Sequence, residues 1–153
     1  MQPKASAELI DAITALDLQT MYDWRAGDPA PLDAEAQRAA VAKSLETGEA
    51  VTIWREDALA AYAVFVPRGQ GLWFASGIAL NPDLAGPGTI RSLRAAVGRF
   101  LARPDVSLVE SNVYKSNRKS VALHRRLGFS VTQENDFGLA FRAEADALIA
   151  QMG

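Results

Sequence analysis

The sequence predicts an α/β (α+β) fold: a mixed, mostly antiparallel sheet with one parallel strand pair, flanked by helices. Three observations predict it. Residues 50–80 carry β-rich runs separated by turn signals, the pattern of an antiparallel meander. Residues 72–114 read strand, Gly-rich loop, helix, strand, a βαβ unit that makes its two strands parallel with a right-handed crossover. Residues 130–141 read as a closing antiparallel hairpin.

In chain order, Ser6 is placed to cap a helix whose apolar residues Leu9, Ile13 and Leu16 fall on one face. Leu18, Met21 and Trp24 either continue it or form a second short segment. Gly27-Asp28-Pro29-Ala30-Pro31 is a break. Asp33 caps a second helix, with Glu35 in its first turn and an end near Gly48. Ala50 to Trp54 and Leu59 to Val66 are strands around the charged turn Arg55-Glu56-Asp57. Pro67 to Gly71 is a second turn, and Leu72 to Leu80 is a third strand closed by Asn81-Pro82. Gly77 marks a bulge, a close backbone approach or a weak spot in that strand.

After the loop Leu84-Ala85-Gly86-Pro87-Gly88, the spacing of Leu93, Val97, Phe100 and Leu101 predicts a helix to about Arg103, stopped by Pro104-Asp105. Val106 to Tyr114 is the next strand. Asn117 caps a helix of about three turns that stops at Gly128. Ser130 to Glu134 and the alternating Phe137, Leu139 and Phe141 form the hairpin around Asn135-Asp136. Ala143 to Met152 closes the chain as a short helix.

With 153 residues, the chain suits one domain, residues 1–153, able to bury a core. It is 49% apolar and 22% charged, with a net charge of −2, which argues against a nucleic-acid-binding surface over the whole domain. The absence of cysteine removes disulfides, a thiol nucleophile and thiolate metal sites. A single histidine argues against a His-based metal centre, so no metal is expected. No apolar run approaches a membrane span and Met1 begins no signal-like segment, so the expectation is a cytoplasmic setting.

The stretch most suited to chemistry is Asn112 to Phe129. Asn117, Ser120 and His124 share one helix face, beside the apolar Val121 and Leu127. The same spacing also makes an ordinary solvated face. The Gly86 and Gly88 loop, ahead of a helix N-terminus, can aim backbone N–H groups at a phosphate, and it is equally a plain turn. It is neither a Walker loop nor a dinucleotide fingerprint, since no Lys-Ser/Thr follows Gly88 and Arg91 holds the last Gly position. Glu110 points to the same strand face as Asn112 and Tyr114, either as a base or as an ion-paired residue.

Asn117, Ser120, Leu123, His124 and Leu127-Gly128-Phe129 resemble the second signature of the GNAT superfamily of acyl-CoA N-acyltransferases, N-x-x-(A/S)-x-x-L-(Y/H)-x-x-L-G-F. Its His form is similar to that of phosphinothricin-type acetyltransferases. Leu80-Asn81-Pro82 and the following Ala85 to Ile90 resemble the family's V-x-P strand end and (Q/R)-x-x-G-x-(G/A) loop. Gly88 is the central Gly, while Ala85 and Ile90 depart from the pattern and Pro87 lacks an N–H.

The resemblance implies a GNAT-like sheet whose parallel strand pair splays, with the family's usual extra first strand missing from residues 1–5. It implies acetyl-CoA, or another acyl-CoA, as cosubstrate and a small-molecule or peptide amine as acceptor, the amine attacking directly. The pantetheine arm would pair with Ile78, Ala79 and Leu80. The phosphates would take Ala85, Gly86, Pro87, Gly88, Thr89, Ile90 and Arg91. Asn117, Arg118 and Ser120 would hold the cofactor arm and its 3′-phosphate. His124 takes the position of the proton donor to the leaving thiolate, where Arg125 and Arg126 would lower its pKa. Asn112 stands where related enzymes carry a Glu base, which leaves Glu110 or a water for that task, with Ser76 a weaker candidate. The other reading is a catalytically degenerate acyl-CoA-binding or interaction domain. No nucleic-acid or membrane partner is expected, and a homodimer is left open.

Overall fold

The computed structural model describes residues 6–21 and 33–152. The element order is α1 (Ala7–Met21), α2 (Ala34–Thr47), β1 (Glu49–Arg55), β2 (Ala58–Gly69), β3 (Leu72–Leu80), α3 (Pro87–Leu101), β4 (Leu108–Tyr114), α4 (Arg118–Arg126), β5 (Ser130–Glu134), β6 (Gly138–Glu144) and α5 (Ala145–Met152). The strands form one six-stranded sheet ordered β1-β2-β3-β4-β6-β5. All its neighbours are antiparallel except β3 and β4. This is the mixed, mostly antiparallel fold expected from the sequence. Trp24, the Gly27–Pro31 break and residues 1–5 lie outside the described residues.

The caps follow from side-chain chemistry. Ser6 Oγ accepts from Leu9 N at 3.1 Å. Asp33 accepts from Glu35 N at 2.9 Å and Ala36 N at 3.2 Å, meeting amide groups the first turn leaves without partners. Gly128 stops α4 with φ +95°, a backbone that disfavours a Cβ.

Some boundaries differ from the sequence reading. Pro67 lies inside β2, opposite Trp73, rather than in a turn. The pairing of β2 with β1 ends at Phe65, so beyond it β2 has a free edge where a missing N–H costs no ladder bond. The turn itself narrows to Gln70 and Gly71, both with positive φ. Val106 precedes β4, in the turn whose N–H returns to Arg103 O at 3.1 Å. Ala143 and Glu144 belong to β6, paired with Val109 and Leu108, not to the last helix.

Two cores cover the sheet. On one face α3 and α5 pack Phe100, Leu101 and Leu148 against Ala63, Phe65, Trp73 and Val109. On the other, α1 and α2 pack Ile13, Leu16 and Val41 against Leu59, Tyr62, Val64 and Ala79. Alternation along β3 breaks between these faces. Phe65 pairs with Ala75 but Val64 pairs with Gly77, so Ser76 is an extra residue in β3. Before it, Trp73 and Ala75 face α3; after it, Ala79 faces α1 and α2. The bulge also ends the parallel ladder: β3 pairs β4 only from Leu72–Leu108 to Ala75–Ser111. From there the two strands part.

Candidate active site

The gap opens where β3 and β4 separate. Ser76 to Leu80 keep β2 as a partner on one side. Their other edge is left unpaired by β4, and Ile78 is 51% exposed. An extended ligand can add to such an edge through backbone hydrogen bonds. Gly77 is required here for a steric reason. A Cβ on it would sit 2.8 Å from Tyr62 Oη, so only glycine lets the Tyr62 ring lie under the bulge.

Beyond Leu80 the chain turns sharply. Asn81 N donates to Ala60 O at 2.8 Å, and Asn81 Oδ1 accepts from Asp83 N at 3.0 Å. Gly86 is the N-cap of α3 and Pro87 its first residue. No side chain caps this helix. A Cβ at Gly86 or Gly88 would meet nothing within 4 Å, so the approach to the helix N-terminus is open. Gly88 and Thr89 carry amide groups at that positive end, which suits a pyrophosphate. Thr89 is buried, and its hydroxyl donates to Leu84 O at 2.8 Å, fixing the loop. Ile90 and Arg91 are exposed on the first turn, and Ala85 is half-buried before it. The free β3 edge and the open helix N-terminus are thus side by side in chain and space.

On the other wall, Asn117 Oδ1 caps α4 by accepting from Ser120 N at 3.3 Å, and Arg118 is exposed beside it. His124 is only 8% exposed and turns inward. Its Nδ1 lies 2.7 Å from Ser120 O, a carbonyl that can only accept, so Nδ1 carries the proton. In the neutral ring Nε2 then accepts from Ser111 Oγ at 3.1 Å. The ring stacks on Phe141 at 4.9 Å and tilts against Phe129 at 4.7 Å. Burial holds its pKa below the ordinary histidine value, with the Ser120 carbonyl opposing more weakly. Desolvation, rather than the Arg125 and Arg126 charges expected from the sequence, sets the direction.

Glu110 and Asn112 occupy the opposite face of β4 from Ser111 and His124, as strand alternation demands. Glu110 Oε2 accepts from Arg142 at 3.2 Å, and Asn112 is exposed. The structure therefore gathers Ile78, Ala79, Leu80, the Gly86 loop and the start of α4 around the splay. It places the two catalytic candidates, His124 and Glu110, on different sides of the sheet.

Ser111 escaped the sequence reading because nothing in the strand run marks it; only its register opposite Ala75, at the last parallel pair, does so. Asp17 escaped too, although a signal existed. It follows Ile13 by four residues, a carboxylate on an apolar stripe, and it is buried against Tyr62 and Gln37.

A splayed parallel pair beside an uncapped helix N-terminus can take an extended ligand along the strand edge and an anionic group at the helix end. The Acetyltransferase (GNAT) family model matches residues 17–129, and the chain belongs to that family. Among solved structures it is similar to the PaiA N-acetyltransferase of Thermoplasma acidophilum in complex with coenzyme A, at TM-score 0.72 and 10% identity over 93% of this chain and 96% of that one. It is similar to the ribosomal-protein-S18-alanine N-acetyltransferase of Escherichia coli, at 0.68 and 16% over 94% and 92%. It is also similar to the Campylobacter jejuni N-acetyltransferase PseH in complex with acetyl coenzyme A, at 0.55 and 16% over 88% and 94%. No curated protein sequence matches it. At these identities the structural likeness speaks for the fold. Among the described residues no helix is long and apolar enough to cross a membrane, and no cluster of ligating side chains could hold a metal ion.

Proposed function

We propose that this chain is an acetyl-CoA-dependent N-acetyltransferase that passes the acetyl group to a primary amine by direct attack. The observation that carries the reading is the coincidence, at one point of the sheet, of a free β3 edge and an open, uncapped α3 N-terminus. Acetyl-CoA supplies an acyl thioester, the electrophile for an amine. The chain's own groups do the rest. Ile78, Ala79 and Leu80 offer backbone partners to the pantetheine arm. The Gly86–Arg91 segment holds the phosphates, chiefly through Gly88 and Thr89, because Pro87 has no N–H and Ala85 and Ile90 bring no polar side chain. Asn117, Arg118 and Ser120 line the α4 side.

Glu110 takes the amine's proton in this reading, directly or through a water, Asn112 orients the nitrogen by hydrogen bonding, and water supplies the proton for the departing thiol. His124 serves as a neutral positioning residue. With its proton on Nδ1 and bound to a carbonyl, it holds the Ser111 hydroxyl at the splay rather than acting as a charged acid. Calorimetric titration with CoA and release of free thiol with a panel of amines test the proposal. Binding and amine-dependent release are expected. Glu110→Gln should lower kcat about 100-fold while leaving CoA affinity unchanged. The ion-paired Glu110 and the departures at Ala85, Ile90 and Asn112 favour a second reading, an acyl-CoA-binding domain without turnover. CoA binding without thiol release on any amine would select it.

A further inference from the structure

A second cavity, of about 50 Å³, lies between α1, α2 and the sheet, and it is built around a buried carboxylate. Asp17, Gln37, Ser44, Tyr62, Ser76 and Gly77 line it. Asp17 is 5% exposed, on the same helix face as Ile13 and Leu16. Tyr62 Oη donates to Asp17 Oδ1, and Gln37 Nε2 donates to Oδ2 at 2.8 Å. Each carboxylate oxygen can accept two hydrogen bonds, so capacity is left on both. Among the described residues no lysine or arginine pairs with it. Burial pushes the Asp17 carboxyl above its ordinary range against the pull of Tyr62 and Gln37, so a cation placed beside it would favour its ionised form.

Place and size narrow the ligand. The cavity floor is the bulge itself: Ser76 is the inserted residue of β3, and Gly77 leaves room for the Tyr62 hydroxyl beneath it. The same sheet face carries Glu110, whose register partner in β3 is Phe74. A volume of this size holds roughly three or four water-sized groups, enough for an ammonium and a methylene.

We propose that this cavity receives a primary alkylammonium group of the acceptor other than the nitrogen that is acetylated, with Asp17 as counter-ion and the Ser44 and Ser76 hydroxyls as further acceptors. This names a substrate class, amines carrying a second primary ammonium on an alkyl arm, for the acyltransferase reading and rests on it. The test is an amide NMR titration of the full chain with n-propylammonium chloride, using tetramethylammonium chloride and propionamide as size and charge controls. Saturable shifts at Ser76 and Gly77 are expected with n-propylammonium alone. Asp17→Asn should weaken that binding at least 10-fold, with an unchanged or higher melting temperature because a buried charge is removed. Ser76→Leu fills the cavity from the sheet without touching the Asp17 hydrogen bonds and should also abolish it; it decides the matter if the first variant does not fold.

Equal affinity in wild type and both variants, or no saturable shift at Ser76 and Gly77, overturns the proposal. CoA titration of the wild-type protein separates the two readings. Ammonium binding without CoA binding removes the acyltransferase reading and leaves the cation site. CoA binding without ammonium binding removes the cation site alone.

Discussion

Replacing Gly77 by Ala tests whether the bulge and the Tyr62 seat are one unit. The added Cβ would lie 2.8 Å from Tyr62 Oη, 3.2 Å from Cε2 and 3.4 Å from Cζ. The first contact is closer than a carbon and an oxygen tolerate, so the ring or the strand must move. The ring has little freedom. Tyr62 is 1% exposed, packed by Ile13, Leu16 and Val64, and its hydroxyl is bonded to Asp17. Overpacking of a filled core costs about 1–3 kcal/mol, and weakening a hydrogen bond to a charged group adds up to about 1.5 kcal/mol. Reduced freedom of the unfolded chain returns roughly 0.4–1 kcal/mol. These terms centre on a net loss of about 2 kcal/mol, or roughly 4–8 °C in Tm for a domain of this size. Urea denaturation measures it. The same change in a Tyr62→Phe background removes the atom that clashes most, so the double-mutant cycle should show coupling of at least about 1 kcal/mol. A loss below about 0.5 kcal/mol, or strictly additive effects, would refute the reasoning.

Further outcomes follow from other parts of the structure. Gly88→Ala should be neutral or stabilising by about 0.5–1 kcal/mol, because it is a helix position with open space, yet it should weaken CoA binding; unchanged affinity in calorimetry removes the loop from the phosphate site. His124 is lowered in the fold, so the unfolded chain binds more protons below the ordinary histidine pKa of about 6.5; stability should fall as pH drops below that value, by up to about 1.4 kcal/mol per unit, and His124→Gln should flatten this part of the denaturation profile. Asp17 contributes with the opposite sign: its folded pKa is raised, so its ionisation destabilises as pH rises above the usual carboxylate range, and Asp17→Asn should remove that slope. Arg103 bonds Glu49 and Asp105 at 2.6 Å each and lies over the Trp73 and Phe100 rings, so Arg103→Ala should lower Tm by about 2–4 °C, measured by calorimetry at low salt.

Local chemistry made most elements readable. Asp33, Asn117 and Gly128 announce their helix ends, because capping is a contact between neighbours in sequence. The β3 strand could be bounded by Gly71 and Asn81-Pro82 for the same reason. Pro67 could not be placed, since its tolerance depends on where β1 stops pairing, a fact about another strand. The meaning of Gly77 lay equally out of reach, because the clash it avoids is with Tyr62, fifteen residues away in sequence. In the candidate site, the Gly86 loop and the α4 cap were legible as motifs. The direction of His124 was not: the helix face it occupies was clear, but which side of the sheet that face meets is set by packing with Phe129 and Phe141. Ser111 and Asp17 gain their interest only from tertiary neighbours.

The single inserted residue at Ser76 also divides one strand into two regimes of exchange with solvent. Between Leu72 and Ala75, β3 is hydrogen-bonded on both edges and should surrender its amide protons only when the domain opens. From Ser76 to Leu80, the N–H groups pointing away from β2 lack a strand partner in β4 and should exchange orders of magnitude faster. Hydrogen-exchange mass spectrometry would see a step in protection within nine residues of continuous strand. Saturation with CoA should erase that step from the fast side, turning the local backbone into its own reporter of occupancy.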